Sequence, residues 1–168
     1  MKIAKLSARL RAISELIDEG ANVADIGTDH GLLPVYLVQT GLAGRIFASD
    51  ISAASLDAAR RSAAEYNVTD LITFLVAPGL DGISPALVDT VVIAGLGGET
   101  IMSMLKDAPW TKRCSISLIL QPQSKIDLLS RFLYDCGYLV KQTRSVRDRD
   151  KNYTIIHAMG GYPEDENR

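Results

Sequence analysis

The sequence predicts an α/β fold: a seven-stranded, mostly parallel sheet with helices on both faces and an antiparallel hairpin at one edge. Three observations carry this. Short apolar runs alternate with amphipathic stretches along the chain. Two of those runs end in glycine-rich turns that open onto helical segments. The last two apolar runs are joined by only a short basic turn, too short for a crossover, so they must pair antiparallel. Alternation of strand and helix places helices on both faces of a parallel sheet.

The elements follow in order. Leu6, Leu10, Ile13 and Ile17 recur at helical spacing, so residues 5–19 read as an amphipathic helix stopped by Gly20. Val23-Ala24-Asp25-Ile26 is a buried strand ending at Gly27. Residues 31–40 read as a helix, with Pro34 in its first turn. Arg45 to Ser49 is a second strand ending at Asp50, and Ser52 caps a helix running to about Tyr66. Leu71 to Val76 is a third strand. Thr90 to Ala94 is a fourth, and its continuous apolar run suits a strand covered on both faces. A helix follows from about Glu99 to Lys106. Ser117 to Leu120 is a fifth strand, closed by Gln121-Pro122. Ser124 with Asp127 resembles a capping box for a helix reaching Asp135 and ended by Gly137. Residues 138–145 and 152–159 close the sheet as the hairpin.

With 168 residues, of which 47% are hydrophobic and 23% charged, the chain is sized and composed as one globular domain, which excludes disordered and collagen-like classes. No apolar run reaches the roughly 20 residues of a membrane span, and Met1 to Leu10 lacks the apolar core of a signal peptide. The expectation is a soluble, cytoplasmic protein that touches no membrane. Cys114 and Cys136 read as reduced, buried thiols, and no His or Cys pair has metal-ligand spacing, so no metal is expected. The net charge of −2 conceals an uneven distribution. Residues 2–11 hold Lys2, Lys5, Arg9 and Arg11 without an acid, and residues 141–151 add Lys141, Arg144, Arg147, Arg149 and Lys151. Such asymmetry can steer a polyanion to one face of an otherwise acidic protein, although a solvated surface has the same composition.

In sheets of this kind ligands bind beyond the carboxyl ends of the strands. That gathers Asp25 to Gly31, Asp50, Ala77 to Leu80 and Gly95 to Gly98 around one crevice. The first turn, Asp-Ile-Gly-Thr-Asp-His-Gly, is not the dinucleotide fingerprint, and its two acids would repel a pyrophosphate at the helix N-terminus. They suit a cationic ligand without phosphate, which favours S-adenosylmethionine over a dinucleotide. Asp25 can meet its amino group, Gly27 and Thr28 line the turn, and Asp50, 23 residues after Gly27, can accept both ribose hydroxyls. Ile51, Gly79, Leu80 and Ala94 complete the expected cofactor contacts. Asp25 as a helix cap and Asp50 as a turn acid remain open alternatives.

At this point the sequence resembles the bacterial tRNA adenine-22 N1-methyltransferase family. The matching segments are Leu6-Ser7-Ala8-Arg9-Leu10, Ala24 to His30 with Leu33-Pro34, Ala48-Ser49-Asp50, Ala94 to Gly98 with Ile101, Leu120-Gln121-Pro122, and Tyr153. The resemblance implies a Rossmann-like class I methyltransferase using S-adenosylmethionine, with residues 1–161 as the methyltransferase domain and 162–168 as a polar tail. It departs from the family in three places. Ala77-Pro78-Gly79-Leu80 stands where the family has Gly-Asp-Gly-Leu, so the acid that faces the cofactor adenine is missing. Leu96 replaces a usual Met. The helical, coiled-coil-like C-terminal domain of the family is expected to be absent, because the chain stops soon after Gly161.

Methyl transfer to N1 requires the adenine to be unpaired or flipped out. The resemblance places Asp25, Gly27, Asp29 and Asp50 at cofactor-site positions. Asp29 is also read as the carboxylate that meets N6, with a cofactor contact or a helix cap as its alternatives, and His30 in the same turn as a group that orients the base, bonds a phosphate or is structural. Gly95 and Gly97 belong to the turn that floors the adenine pocket. Gln121 can serve the substrate or simply form its turn, and Tyr153 can stack on a base or pack in its strand. Lys5, Arg9, Arg144, Arg147 and Arg149 are candidate phosphate contacts, with tRNA as the partner. The alternatives are a methyltransferase acting on another acceptor, a non-catalytic S-adenosylmethionine- or RNA-binding module, and a nicotinamide oxidoreductase. The oligomeric state is open, with a monomer as the default.

Overall fold

The computed structural model describes residues 1–162; the expected polar tail lies, but for its first residue, outside the described residues. The chain runs α1 (Ala8–Ser14), β1 (Ala21–Ile26), α2 (Leu32–Gln39), β2 (Ala43–Asp50), α3 (Ala53–Glu65), β3 (Thr73–Val76), β4 (Thr90–Leu96), α4 (Gly98–Asp107), β5 (Ser117–Pro122), α5 (Ile126–Asp135), β6 (Leu139–Asp148) and β7 (Lys151–Met159). Short 3-10 turns at Thr69–Leu71 and Pro109–Lys112 lead into β3 and towards β5. The seven strands form one sheet in the order β3-β2-β1-β4-β5-β7-β6. The first five pair in parallel, and β7 pairs antiparallel with both β5 and β6.

The central strands bury both faces, and successive side chains go to opposite cores. Val23, Val92, Ile119 and Ile155 pack with Ile13, Leu33 and Leu37 on the side of α1 and α2. Ala24, Ile93, Leu120 and Ile156 pack with Ile101, Leu105, Leu129 and Leu133 on the side of α4 and α5. One apolar run per strand therefore feeds two cores, the reason these strands lack simple alternation in sequence.

Two local expectations are corrected. The first helix covers only Ala8–Ser14, not residues 5–19. Ser7 caps it, its hydroxyl accepting the Leu10 N–H at 3.3 Å. At its other end the Ser14 hydroxyl donates to the Arg11 carbonyl at 2.7 Å, and the chain tightens into i→i−3 turns at Leu16 and Ile17. Leu16 and Ile17 remain buried, so the periodicity reported burial beyond the helix itself. The capping box at α5 does not form. Lys125 is the N-cap, in a left-handed conformation with φ +55°. The Ser124 carbonyl instead accepts the Gly98 N–H at 2.9 Å, joining the start of α4 to the start of α5. Glycine is required there: a Cβ on Gly98 would lie 2.6 Å from the Ser124 oxygen and 2.8 Å from that of Lys125.

Candidate active site

The carboxyl ends of β1, β2 and β4 open into one cavity of about 620 Å³. Parallel strands end there together, and their exit turns supply its walls. The turn after β1 is lashed to β2 because the Ser49 carbonyl accepts the N–H groups of Gly27 at 2.9 Å and Thr28 at 3.0 Å. Gly27, Asp29 and Gly31 are left-handed, with φ of +73°, +52° and +68°. Aspartate is among the few residues that visit this region readily. The repeated reversal winds the chain around the cavity mouth before α2 begins.

Asp25, at the end of β1, is 5% exposed, and its Oδ2 accepts the Thr28 hydroxyl at 2.8 Å. Burial pushes its pKa from the usual 3.8 up to about 6; the Thr28 bond and the Arg9 charge oppose this rise, and the Asp50 charge adds to it. Asp50, at the end of β2, is held from two sides: Oδ1 accepts the Ser52 N–H at 2.9 Å and Oδ2 the Asp29 N–H at 3.2 Å. Each oxygen keeps a lone pair for a second donor. Asp29 and His30 stand at the mouth, their side chains 71% and 70% exposed, with 3.9 Å between Asp29 Oδ2 and His30 Nε2.

The turn after β4 contributes space. Gly95 has φ +77° and interrupts the β4–β5 register between Ala94 and Leu96. A Cβ there would meet Arg9 Nη1 at 3.5 Å and Gln123 Nε2 at 3.6 Å, so both polar side chains lean over this glycine. Arg9 reaches the cavity from α1. Its Nη1 donates to Gln121 Oε1 at 2.6 Å, its backbone N–H donates to Asp148 Oδ2 at 3.1 Å, and its guanidinium lies 5.6 Å from the Tyr153 ring centroid. Gln121 is fully buried, with its Nε2 donating to the Pro122 carbonyl. Tyr153 is half-buried beneath the guanidinium.

Of the residues expected at the site, Asp25, Gly27, Thr28, Asp29, His30, Asp50, Ile51, Gly79, Ala94 and Gly95 line this cavity together. Leu80 does not. It is buried in the core beside α4 and borders a second cavity of about 400 Å³ that shares Ile51, Gly79, Thr100 and Met104 with the first. Gly97 also lies outside, as the N-cap of α4, with its Cα turned towards the Ser124 hydroxyl. Among the basic candidates, Lys5, Arg147 and Arg149 are exposed, Arg144 pairs with Glu15 at 2.8 Å, and Arg9 is turned inward. Cys136 is half-buried and Cys114 is exposed at the surface, contrary to the expected burial. Among the described residues no cluster of ligating side chains could hold a metal ion, and no helix is long and apolar enough to cross a membrane.

Lining residues that the sequence did not point to include the apolar Leu10, Leu32 and Leu33 and, from later in the chain, Thr100, Met104 and Gln123. Thr100 and Met104 are four apart on α4, on the flank of its buried stripe of Ile101 and Leu105. That spacing was the available signal, but it is shared by every amphipathic helix. Gln123 follows Gln121-Pro122 immediately, and only the ending of β5 decides which glutamine faces the cavity.

The comparisons with known proteins agree with this architecture. The methyltransferase domain family matches residues 6–156. The tRNA (adenine(22)-N(1))-methyltransferase of Bacillus subtilis is 31% identical over 157 residues, covering 94% of this chain and 66% of its own length. The chain thus spans just under two thirds of that relative. A putative tRNA methyltransferase of Mycoplasma pneumoniae is 33% identical over 156 residues, covering 90% of this chain and 70% of its own. The solved structure of M. capricolum TrmK, in complex with S-adenosyl-homocysteine, has a TM-score of 0.83 at 29% identity, covering 95% of this chain and 71% of its own. A match that runs from α1 into β7, joined to a cavity at the strand ends, shows that this chain belongs to the methyltransferase domain family.

Proposed function

We propose that this chain transfers a methyl group from S-adenosylmethionine to N1 of an adenine in tRNA, at the position its relatives number 22, and that residues 1–161 are the catalytic unit. The observation that carries it is the charge pattern of the cavity. Asp25, on β1, feels the Arg9 charge, Asp50 stands one strand over at the end of β2, and Ile51, Ala77 and Gly79 form an apolar end towards β3. This fits a nucleoside bearing an amino acid: Asp25 for the amino group, Arg9 for the carboxylate, Asp50 for the ribose hydroxyls, and the apolar end for the adenine. Three carboxylates around the cavity oppose a pyrophosphate, and with it a nicotinamide dinucleotide.

S-adenosylmethionine, when bound, supplies an electrophilic methyl group. The chain's own part is mainly to position, which in well-aligned cases supplies roughly 7–11 kcal/mol. Asp29 accepts a hydrogen bond from N6 of the target adenine, raises electron density at N1 and stabilises the cation that methylation leaves on the base. His30, beside it, orients the base or its phosphate. Gly95 leaves room for a flat ring. Lys5, Arg147 and Arg149 contact phosphates around the mouth, with Arg144 secondary to them because Glu15 already engages it.

The test incubates the chain with S-adenosylmethionine and unmodified tRNA and measures 1-methyladenosine by mass spectrometry after digestion. Product is expected from the wild type, with a loss of about a hundredfold or more in Asp29→Ala and little change in cofactor affinity. Binding of S-adenosylhomocysteine without any 1-methyladenosine, or product on another acceptor only, would overturn the reading.

A further inference from the structure

We propose that Gln123 is a specificity residue that reads the Hoogsteen edge of the target adenine, its amide oxygen accepting from N6 and its amide nitrogen donating to N7. The inference rests on the proposed adenine N1-methylation and names a group that reading leaves unassigned.

Two glutamines leave β5 close together, and they differ in what remains of their amides. Gln121 is fully buried and spent: Oε1 accepts from Arg9 at 2.6 Å and Nε2 donates to the Pro122 carbonyl at 3.1 Å. It positions Arg9 and has no surface to offer a substrate. Gln123 is exposed and lines the cavity, and among the described residues its side-chain amide has no hydrogen-bond partner. Its backbone is nevertheless fixed, because its N–H donates to the Leu96 carbonyl at 2.8 Å. The amide is thus aimed by the second glycine turn, with Nε2 at 3.6 Å from where a Gly95 side chain would begin.

The chemistry of the acceptor selects the edge. N1 must present its lone pair to the methyl group, so no protein donor can occupy it. The Watson–Crick edge then offers only N6 for recognition, which the exposed carboxylate of Asp29 can meet through one of its two hydrogens. The opposite edge offers N7 as acceptor and the second N6 hydrogen as donor, the pair that a carboxamide matches in bidentate fashion. Guanine presents acceptors at both O6 and N7, so the amide oxygen would face O6 unpaired. The Gly95 turn, with no side chain, lets the ring approach this amide.

The experiment uses the full chain, saturating S-adenosylmethionine, and two ligated full-length tRNAs carrying adenosine or 7-deazaadenosine at the target position, under single-turnover conditions. The 7-deaza base lacks the N7 acceptor, and its more basic N1 affects wild type and variant alike, so the comparison between them isolates the N7 contact. The wild type is expected to lose about fivefold on it. Gln123→Ala is expected to lose about tenfold on adenosine tRNA and to show no further penalty on the 7-deaza tRNA. A merely structural role would slow both tRNAs alike and leave the wild-type ratio in place, which would overturn the proposal. Should the alanine variant misfold, Gln123→Glu keeps the volume, sets an acceptor against N7, and is read by the same ratio. If the wild type methylates neither tRNA, the methyltransferase reading itself falls and takes this proposal with it.

Discussion

The turn that leaves β1 and the turn that leaves β4 both border the cavity, and both rely on left-handed residues, Gly27, Asp29 and Gly31 in one and Gly95 in the other. The first works through charge. It carries Asp25 and Asp29, and its own N–H at Asp29 holds Asp50 in place. The second has no charged side chain and works through vacancy: Gly95 leaves a gap under Arg9 and Gln123, and Gly98 lets α4 touch the chain before α5. Chemistry of the first kind can be removed with the fold intact, because a carboxylate at a cavity wall supports little packing. Vacancy of the second kind cannot be altered so cleanly, because whatever fills it displaces a neighbour.

That contrast can be broken most directly at Asp25. Asp25→Asn is expected to weaken S-adenosylhomocysteine binding about a hundredfold by calorimetry, while leaving the folded apoprotein no less stable. The pH dependence sharpens it. The folded carboxyl keeps its proton up to about pH 6, whereas an unfolded one releases it near 3.8. The stability this group contributes is therefore full below about pH 4 and lost progressively as pH rises from about 4 to about 6, by up to about 3 kcal/mol, with no further change above. Cofactor affinity runs the other way, falling as pH drops below about 6 and the carboxylate is neutralised. Denaturation and binding curves between pH 4 and 8 should show these opposite trends in the wild type and neither in the variant.

The second turn should respond in the opposite sense. Gly98→Ala forces a Cβ against two backbone oxygens and is expected to cost about 2 kcal/mol, read as a lowered Tm, before any effect on cofactor affinity. Gly95→Ala meets only side chains, at 3.5 Å and beyond, but must hold φ +77°. Strain of about 1–2 kcal/mol is expected, with methyl transfer reduced more than S-adenosylhomocysteine binding. The smallest effect belongs to neither turn. Arg144→Ala removes the 2.8 Å pair with Glu15 that ties α1 to β6, but Glu15 is 57% exposed, so about 0.5 kcal/mol or less is expected in chemical denaturation. A larger loss would mean that α1 depends on the hairpin for its place.

Much of this is legible in the amino-acid sequence. All seven strands are: the central ones because a strand covered on both faces must be a short apolar run, and the last two because only a short turn joins them. Asp25 and Asp50 were legible as partners because parallel strands end on one side of the sheet, so the last residues of β1 and β2 must meet. Ser52 capped α3 as its sequence position requires. The misreadings share a cause. Ser124 with Asp127 had the spacing of a capping box, yet a tertiary bond to Gly98 claimed the backbone that the cap needed. Leu80 and Gly97 sit in glycine-containing turns that border the cavity, but Leu80 packs into the core and Gly97 caps α4. Arg9 read as a surface cation because a helix of basic residues shows no partner of its own.

The alternation of apolar runs and helical stripes determined the class of fold, the number of strands and the collection of acids at one edge of the sheet. These depend on periodicity and chain direction, which are local properties. Only the tertiary structure decided that Arg9 turns inward to Gln121, that Gln121 is spent while Gln123 is free, and that Asp25 is buried deeply enough to hold its proton to about pH 6. Those outcomes depend on contacts between segments up to 139 positions apart, as between Arg9 and Asp148, and on the exclusion of water from their meeting point. Neither has a signature in neighbouring residues.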